Sequence, residues 1–257
     1  MPDLRTWLDE VDKLGQLMKD ENVHWDLELS TLTEIINERS KTRPAIVFDS
    51  VKDYPRGYRL AANLVSSTGR LALTLGMDAG LSDIDFIQAW RRQVKKIAPV
   101  AAETVAGGPL FDNVKKGKDI DVLDFPVPRW HELDGGRYIG TDDLVITRDP
   151  EEGWVNVGTY RIMVHGPDRL ALHMSPGKHG RVHKDKHHQL GKPLPIAVSF
   201  GHHPINFVVA STDVPNRVNE YDYAGGILGE PLQVIKGPLT GLPIPADAEI
   251  AIEGEVA

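Results

Sequence analysis

Cysteine is absent from the 257 residues of this chain. Its absence excludes disulfides, thiolate metal sites and a cysteine nucleophile, and it fits a reducing cytoplasm. Positive charge is also scarce, because 29 Lys and Arg stand against 37 Asp and Glu, for a formal net charge of −8. Nucleic acids and anionic membranes recruit clusters of Lys and Arg, so we expect neither as a partner.

Long apolar runs are missing too. No run approaches the roughly 20 residues that a membrane-spanning helix needs, and the opening "MPDLRTWLDE" lacks the pattern of a signal peptide. With 41% hydrophobic and 26% charged residues, the composition is typical of a soluble globular protein, which we expect in the cytoplasm. At roughly 150 residues per domain, the length allows one or two domains.

The first 108 residues predict an α/β segment. Leu4, Trp7, Val11 and their neighbours Leu8 and Leu14 recur at helical spacing. Further predicted helices are "STLTEIINERS", "GRLALTLGM" and "LSDIDFIQAWRRQVKKI", the last beginning with Ser82 and Asp85 in the spacing of a capping box. The stretches "PAIVFDSV" and "YRLAANLV" predict strands.

From about residue 119 the pattern changes to short apolar segments separated by turn residues. These predicted strands are "DVLDFPV", "DDLVIT", "GTYRIMVHG", "RLALHMS", "LPIAVSFG", "INFVVAS", "PLQVIKG" and "AEIAIEG". Helical inserts are predicted near 180–190 and 217–228. Such regular spacing favours a β-barrel or sandwich, so we divide the chain into an α/β domain, 1–108, and a β-rich domain, 109–257.

Polar side chains stand out within "GWVNVGTYRIMV". Asn156 and Arg161 have opposite parity and would face opposite sides of an unbroken strand. Gly158 lies between them and could permit a bulge. The alternative is that Asn156 is a turn residue and Arg161 a surface arginine.

Histidines and a glutamate supply further candidates. His179 follows Lys178 in "MSPGKHGR", where the basic residues would suit an anionic ligand, although a surface histidine is the alternative. His183 and His187 lie one helical turn apart, a spacing that can bind a metal but also fits a solvated helix face. Glu220 lies near the start of a predicted helix, where its charge would favour the helix dipole. No G-x-S-x-G, Walker or G-x-G-x-x-G element is present.

Several stretches together resemble the UbiD family of reversible decarboxylases, which use prenylated flavin mononucleotide (prFMN). They are "DLRTWLDEVDKLGQL", "PAIVFDSVKDYPRGYRL", "IGTDDLVITRDPEEGWVNVGTYRIMV", "MSPGKHGR", "PNRVNEYDYAGGILGEPLQVIK" and "IPADAEIAIEG". The resemblance implies an α+β chain in which the N-terminal α/β segment precedes a split β-barrel, similar to flavin reductases, that binds prFMN.

The resemblance also implies a ligand set. Asn156, His179 and Glu220 match the residues that hold a divalent metal beside the cofactor phosphate, and this donor set suits Mn²⁺ or Mg²⁺. The residues assigned to the cofactor are Thr141, Asn156, Val157, Gly158, Thr159, Tyr160, Arg161, Lys178, His179 and Glu220. A potassium ion would be held by backbone carbonyls around Ser211 and Thr212, where this sequence is one residue shorter than the family pattern.

The activity so implied is non-oxidative decarboxylation of an aromatic, heteroaromatic or α,β-unsaturated acid through a covalent prFMN adduct. Arg161 matches the arginine that orients the substrate carboxylate and pairs with a catalytic glutamate. A flavin prenyltransferase of the UbiX type would supply the cofactor, and the full-length protein would form a homodimer or larger oligomer.

Family members are roughly twice as long, and their catalytic acids lie in an E-G-P-x-G-E/D motif, which would follow Ala257. We therefore expect the chain to be an N-terminal portion that is inactive alone. The alternatives are a non-catalytic flavin- or phosphate-binding protein, one subunit of a split decarboxylase, and a metallohydrolase built on His183 and His187.

Overall fold

The computed structural model describes residues 3–215 and 218–257, and it has a mixed α+β fold. The helices are α1 (Leu4–Lys13), α2 (Glu28–Arg39), α3 (Thr68–Thr74), α4 (Asp83–Gln93), α5 (His179–Gln189), α6 (Pro204–Ala210) and α7 (Glu220–Leu228). The strands are β1 (Leu17–Glu21), β2 (Ala45–Asp49), β3 (Leu60–Ala62), β4 (Glu103–Val105), β5 (Tyr138–Gly140), β6 (Leu144–Arg148), β7 (Val155–Gly158), β8 (Arg161–Gly166), β9 (Arg169–His173), β10 (Leu194–Phe200), β11 (Gln233–Lys236), β12 (Pro243–Pro245) and β13 (Ile250–Val256).

The N-terminal region is built on a three-stranded sheet in the order β1-β2-β3. β1 runs parallel to β2, and β3 runs antiparallel to it. The alternating side chains of β2 divide between two clusters. Ile46 and Phe48 pack with Leu29, whereas Ala45 packs with Trp7 from α1. Helices therefore cover both faces of this sheet, as the predicted α/β segment requires.

Side-chain caps explain where the N-terminal helices begin. Asp3 accepts a hydrogen bond from the backbone of Thr6 at the start of α1. At α4, Ser82 Oγ accepts from Asp85 N at 3.2 Å and donates to the Asp85 carboxylate at 2.7 Å. Since a capping side chain satisfies backbone N–H groups that lack a partner in the helix, the predicted start of α4 is confirmed.

Three sheets form the β-rich region: β13-β10-β6-β7, β5-β8-β9 and β12-β11-β4. The four-stranded sheet separates two apolar clusters. Leu144 and Ile146 of β6 face one cluster, whereas Val145 faces the other, together with Ile196 and Val198 of β10. Because both faces are covered, these strands read as continuous apolar runs in the sequence.

Two predicted strands are wrong. "INFVVAS" forms α6, since Pro204 occupies its first turn and His203 Nδ1 accepts from Ile205 N at 3.2 Å. A short apolar run cannot distinguish a buried strand from a buried helix. "DVLDFPV" contains a 3₁₀ turn, Val122–Asp124, which Asp121 caps by accepting from Leu123 N.

The helical inserts at α5 and α7 are confirmed. The domain boundary near residue 108 stays a prediction, and β4, which precedes it, pairs in parallel with β11. No helix in the described ranges is long and apolar enough to cross a membrane.

Candidate functional site

Asn156 lies in β7, where it pairs with Thr147 of β6 and is only 4% exposed. It is therefore a buried strand residue rather than a turn residue. The predicted bulge at Gly158 is not what relates Asn156 to Arg161, because β7 ends at Gly158 and a new strand, in another sheet, begins at Arg161. A Cβ on Gly158 would meet the Tyr160 ring at 2.9 Å. The close approach of this ring, rather than a bulge, requires glycine.

Glu220 is the first residue of α7 and is 6% exposed. Its Oε2 accepts a hydrogen bond from Val157 N at 2.9 Å, next to Asn156 in the chain. Burial raises the pKa of the Glu220 carboxyl to about 7. The helix dipole favours a negative charge at this position, but such a dipole role needs no burial.

His179 is the first residue of α5, and its ring contacts the Trp154 ring edge to face, with 4.8 Å between centroids. Trp154 lies two residues before Asn156, and residues two apart point to the same side of an extended chain. All three predicted metal ligands therefore contact or belong to the segment made of Trp154 and β7. His179 packs on Trp154, Asn156 lies on the strand, and Glu220 bonds to the strand's backbone.

Tyr160 joins this strand to the start of α5. Its backbone N–H donates to Asp143 Oδ1 at 3.0 Å, and its hydroxyl accepts from Gly180 N at 3.2 Å. A Cβ on Gly180 would lie 2.6 Å from the Tyr160 hydroxyl oxygen. Tyr160 therefore fixes the residue that follows His179, and glycine is needed there because the ring is so close.

Of the remaining predicted site residues, three are exposed, Thr159 is half-buried and Val157 is buried. Arg161 is exposed on β8, with its guanidinium carbon 5.4 Å from the centre of the Tyr138 ring. Thr141 follows β5, and Lys178 precedes α5 at its N-cap position. Both are exposed and accessible to a ligand. Thr159 lies between β7 and β8 and is half-buried. The Val157 N–H, in contrast, already donates to Glu220.

The second histidine site does not form. His183 is 1% exposed, so the solvated-face interpretation is wrong for it, and its Nδ1 lies 2.9 Å from Thr147 Oγ1. His187 Nε2 instead lies 3.3 Å from the carbonyl of Arg148. Within 3–215 and 218–257, no group of three His, Cys, Asp or Glu side chains could hold a metal.

Two residues of the site were not predicted from the sequence. Trp154 contacts both His179 and His183 edge to face. Its position two residues before Asn156, on the same side of an extended chain, could have indicated it. Asp143 is fully buried, and its Oδ2 has no hydrogen-bond partner among the described residues. Burial raises its pKa to about 7, with a further contribution from Asp142. An aspartate placed before a strand gives no sign of this environment in sequence.

The donor set agrees with a hard divalent cation. Asn156 supplies an amide, Glu220 a carboxylate and His179 an imidazole, and Mn²⁺ or Mg²⁺ accepts oxygen ligands with a nitrogen. The Nδ2 of Asn156 is buried without a partner in the described part of the chain. This N–H group is a hydrogen-bond donor, so it calls for an acceptor such as a phosphate oxygen, whereas a metal would bind the amide oxygen, Oδ1.

Comparison with known proteins gives matches across nearly the whole chain. A family described as the 3-octaprenyl-4-hydroxybenzoate carboxy-lyase Rift-related domain matches residues 103–257, and the corresponding N-terminal domain matches residues 8–90. Pyrrole-2-carboxylic acid decarboxylase of Pseudomonas aeruginosa is 32% identical over 266 residues, covering 99% of this chain and 52% of that protein.

Solved structures of related decarboxylases superpose on nearly the whole chain as well. Vanillic acid decarboxylase of Sedimentibacter hydroxybenzoicus, in its closed form, superposes with a TM-score of 0.91 at 33% identity, over 99% of this chain and 55% of that one. The UbiD-class enzyme HmfF of Pelotomaculum thermopropionicum, in complex with prFMN, gives 0.86 at 27% identity, over 98% and 56%. The chain thus spans about half the length of the relatives it matches, and it belongs to the UbiD family of carboxy-lyases.

Proposed function

We propose that this chain forms the prFMN and metal cradle of a UbiD-type decarboxylase that acts on an aromatic or heteroaromatic carboxylic acid. The supporting observation is the hydrogen bond from Val157 to Glu220, which holds a buried carboxylate next to Asn156. Relatives are named as decarboxylases of pyrrole-2-carboxylic, phenolic, vanillic and 3,4-dihydroxybenzoic acids. α,β-Unsaturated acids remain within the proposed class.

In this proposal, Asn156, His179 and Glu220 hold one Mn²⁺ or Mg²⁺ ion. The bond from Val157 fixes one carboxylate oxygen of Glu220, Oε2, and would leave Oε1 available to a metal. Trp154 holds the His179 ring edge-on at the start of α5. Lys178 and the N-terminal N–H groups of α5 favour a phosphate beside the metal.

The cofactor, when bound, supplies an electrophilic ring that accepts electrons as carbon dioxide leaves. This chain's own part in the reaction is orientation. Arg161, exposed beside Tyr138, binds the substrate carboxylate through two parallel N–H donors, a geometry that lysine cannot provide. Thr141 and Tyr160 line the flavin edge near this arginine. The potassium site at Ser211 and Thr212 belongs to the same proposal. Both hydroxyls there donate to Val208 O.

A split β-barrel around the flavin is the architecture that this function requires. The four-stranded sheet ends at β13, which pairs with β10. In a closed barrel the other edge of β13 would pair with a further strand. Assembly as a homodimer or larger oligomer is part of the proposal for the full-length protein.

The test is binding by the chain co-produced with a flavin prenyltransferase of the UbiX type and supplied with Mn²⁺. Native mass and visible absorption should report one prFMN and one Mn²⁺ per chain. Glu220→Gln keeps an acceptor for Val157 but removes the charge, and it should weaken Mn²⁺ binding at least about tenfold. The matched control is Glu230→Gln, an exposed glutamate just beyond the other end of α7, which should bind as the parent chain does.

Equal Mn²⁺ affinity in Glu220→Gln and the parent would refute the assigned ligand set. A chain that binds metal and flavin but releases no carbon dioxide from pyrrole-2-carboxylate or 4-hydroxybenzoate agrees both with an N-terminal portion that is inactive alone and with a non-catalytic binding protein. Extension of the chain through a relative's E-G-P-x-G-E segment distinguishes them, because only the decarboxylase portion should then gain activity. Activity that arises only after addition of a second polypeptide would favour the split decarboxylase.

A further inference from the structure

The outward face of the β8–β9 hairpin holds a histidine beside the proposed substrate arginine. In the antiparallel register of these strands, Arg161 lies directly opposite His173. Both side chains are exposed, whereas their neighbours Ile162 and Leu172 pack into the apolar cluster behind the sheet. Arg161 and His173 therefore project from the same face, with Cβ atoms about 4.5–5.5 Å apart.

His173 also lies on the chain segment that leads to the proposed metal site. Its Nε2 is 3.4 Å from the Ser175 hydroxyl, and Ser175 opens the turn before α5. His179 follows at the start of that helix. His173 thus lies opposite Arg161, which would bind the substrate, and six residues before His179, which would bind the metal.

Neither side chain has an acidic partner. In the described part of the chain, no ion pair includes Arg161 or His173, and the carboxylate on this hairpin, Asp168, lies near Arg169 at the turn. Arg161 instead lies over the face of Tyr138. An unpaired guanidinium beside an imidazole N–H donor, on an exposed sheet face, is a suitable arrangement for a carboxylate ligand.

We propose that His173 is a substrate-binding residue, which donates a hydrogen bond to the carboxylate that Arg161 holds. The ligand class is a planar aromatic or heteroaromatic monocarboxylate. This inference rests on the proposed function and adds a second anchor to its substrate site. With two donors from adjacent strands, the acid is fixed in orientation as well as position, which a single arginine does not achieve.

The experiment titrates the chain with pyrrole-2-carboxylate and, separately, with benzoate, and it follows the imidazole resonances by NMR. Wild type should show a saturable shift of the His173 resonances. His173→Leu should raise the dissociation constant about tenfold, because a hydrogen bond to a charged group is lost. His173→Gln keeps an N–H donor and should stay within about threefold of wild type.

His165→Leu is the matched control. His165 is exposed on β8, near the turn of the same hairpin, and its replacement should leave the affinity unchanged. Thermal unfolding of every variant should match wild type, which separates binding from folding. Equal carboxylate affinity in His173→Leu and wild type, or no saturable binding in wild type, would overturn the proposal.

Mn²⁺ and flavin binding, measured on the same samples, distinguish the two proposals. Failure of His173→Leu to alter carboxylate affinity in a chain that binds metal and flavin removes the His173 role alone. A chain that binds neither, but whose carboxylate affinity depends on His173, retains this anchor and loses the proposed cofactor cradle.

Discussion

Arg70 in the N-terminal region and Glu220 in the β-rich region are both buried ionisable residues, but in the described part of the chain the Arg70 side chain makes four hydrogen bonds whereas the Glu220 side chain accepts one, from Val157 N. Arg70, in the N-terminal region, is fully buried on α3. Its guanidinium donates to the carbonyls of Leu64, Arg43 and Asn63 and to Gln16 Oε1, at 2.5 to 3.0 Å. Burial lowers its pKa to about 10, so it stays charged at neutral pH.

The β-rich region leaves several buried polar atoms without such partners. Among the described residues these include Asn156 Nδ2, Asp143 Oδ2 and both amide atoms of Asn206. A buried polar group that lacks a partner costs about 1–3 kcal/mol. Arg70, whose hydrogen bonds are complete, stabilises the fold. Asn156 and Glu220 keep polar atoms that can bind a ligand. Unpartnered buried atoms also occur in the N-terminal region, at Asp26 Oδ1 and Asn63 Nδ2, so the contrast applies to Arg70 and the candidate site rather than to the two regions as wholes.

The largest effect is expected where the polar contacts are complete. Arg70→Met removes four hydrogen bonds and leaves carbonyls buried without donors, so it should lower the free energy of unfolding by about 3–5 kcal/mol. Urea denaturation measures this loss. Arg59→Met is the control, since Arg59 is exposed, and it should change stability by less than about 0.5 kcal/mol. A loss below about 1 kcal/mol in Arg70→Met would contradict the contrast.

An intermediate effect is expected at the contact between Tyr160 and α5. Gly180→Ala places a methyl group 2.6 Å from the Tyr160 hydroxyl oxygen. Either the ring or the first turn of α5 must shift, which should cost about 1–3 kcal/mol in thermal unfolding. His179 lies next to the substitution, so Mn²⁺ affinity should fall as well.

Gly254→Ala is the control for this substitution. Nothing lies within 4 Å of a Cβ at Gly254, so its stability and Mn²⁺ affinity should both stay close to those of wild type. If Gly180→Ala lowers stability but leaves Mn²⁺ affinity unchanged, the contact is structural and does not position His179.

The sequence predicts the parts of this molecule in which local pattern and tertiary environment agree. The Ser82 cap of α4 and the buried run of β2 are examples. α6 was missed because its apolar run has no period that distinguishes helix from strand. The proximity of Glu220 to Asn156 is a contact across 63 positions, which no local pattern records. Only the family resemblance grouped these residues beforehand, and their role as metal ligands stays a prediction.

A pH-dependent effect on stability is expected at Asp143. Its folded-state pKa is about 7, above the value of about 3.9 for an unfolded aspartate. The folded chain therefore binds more protons at this residue between these values, and the contribution of Asp143 to stability falls as pH rises from about 4 to 7. In Asp143→Asn the amide oxygen can still accept from Tyr160 N. The variant should gain stability relative to wild type as pH rises from about 5 to 7, by about 1 kcal/mol for each pH unit, and the difference should level off above about pH 7.

The measurement is the free energy of unfolding of both proteins at several pH values, compared as a difference. His183 titrates in the opposite sense, because burial lowers its pKa to about 4. The difference cancels that contribution, since both proteins contain His183. Asp168→Asn, at an exposed position on the β8–β9 turn, should show no such trend. If the difference in unfolding free energy between Asp143→Asn and wild type does not change with pH, the folded protein stabilises the charged carboxylate of Asp143 as well as water does. Asp143 would then belong with Arg70 among the structural groups.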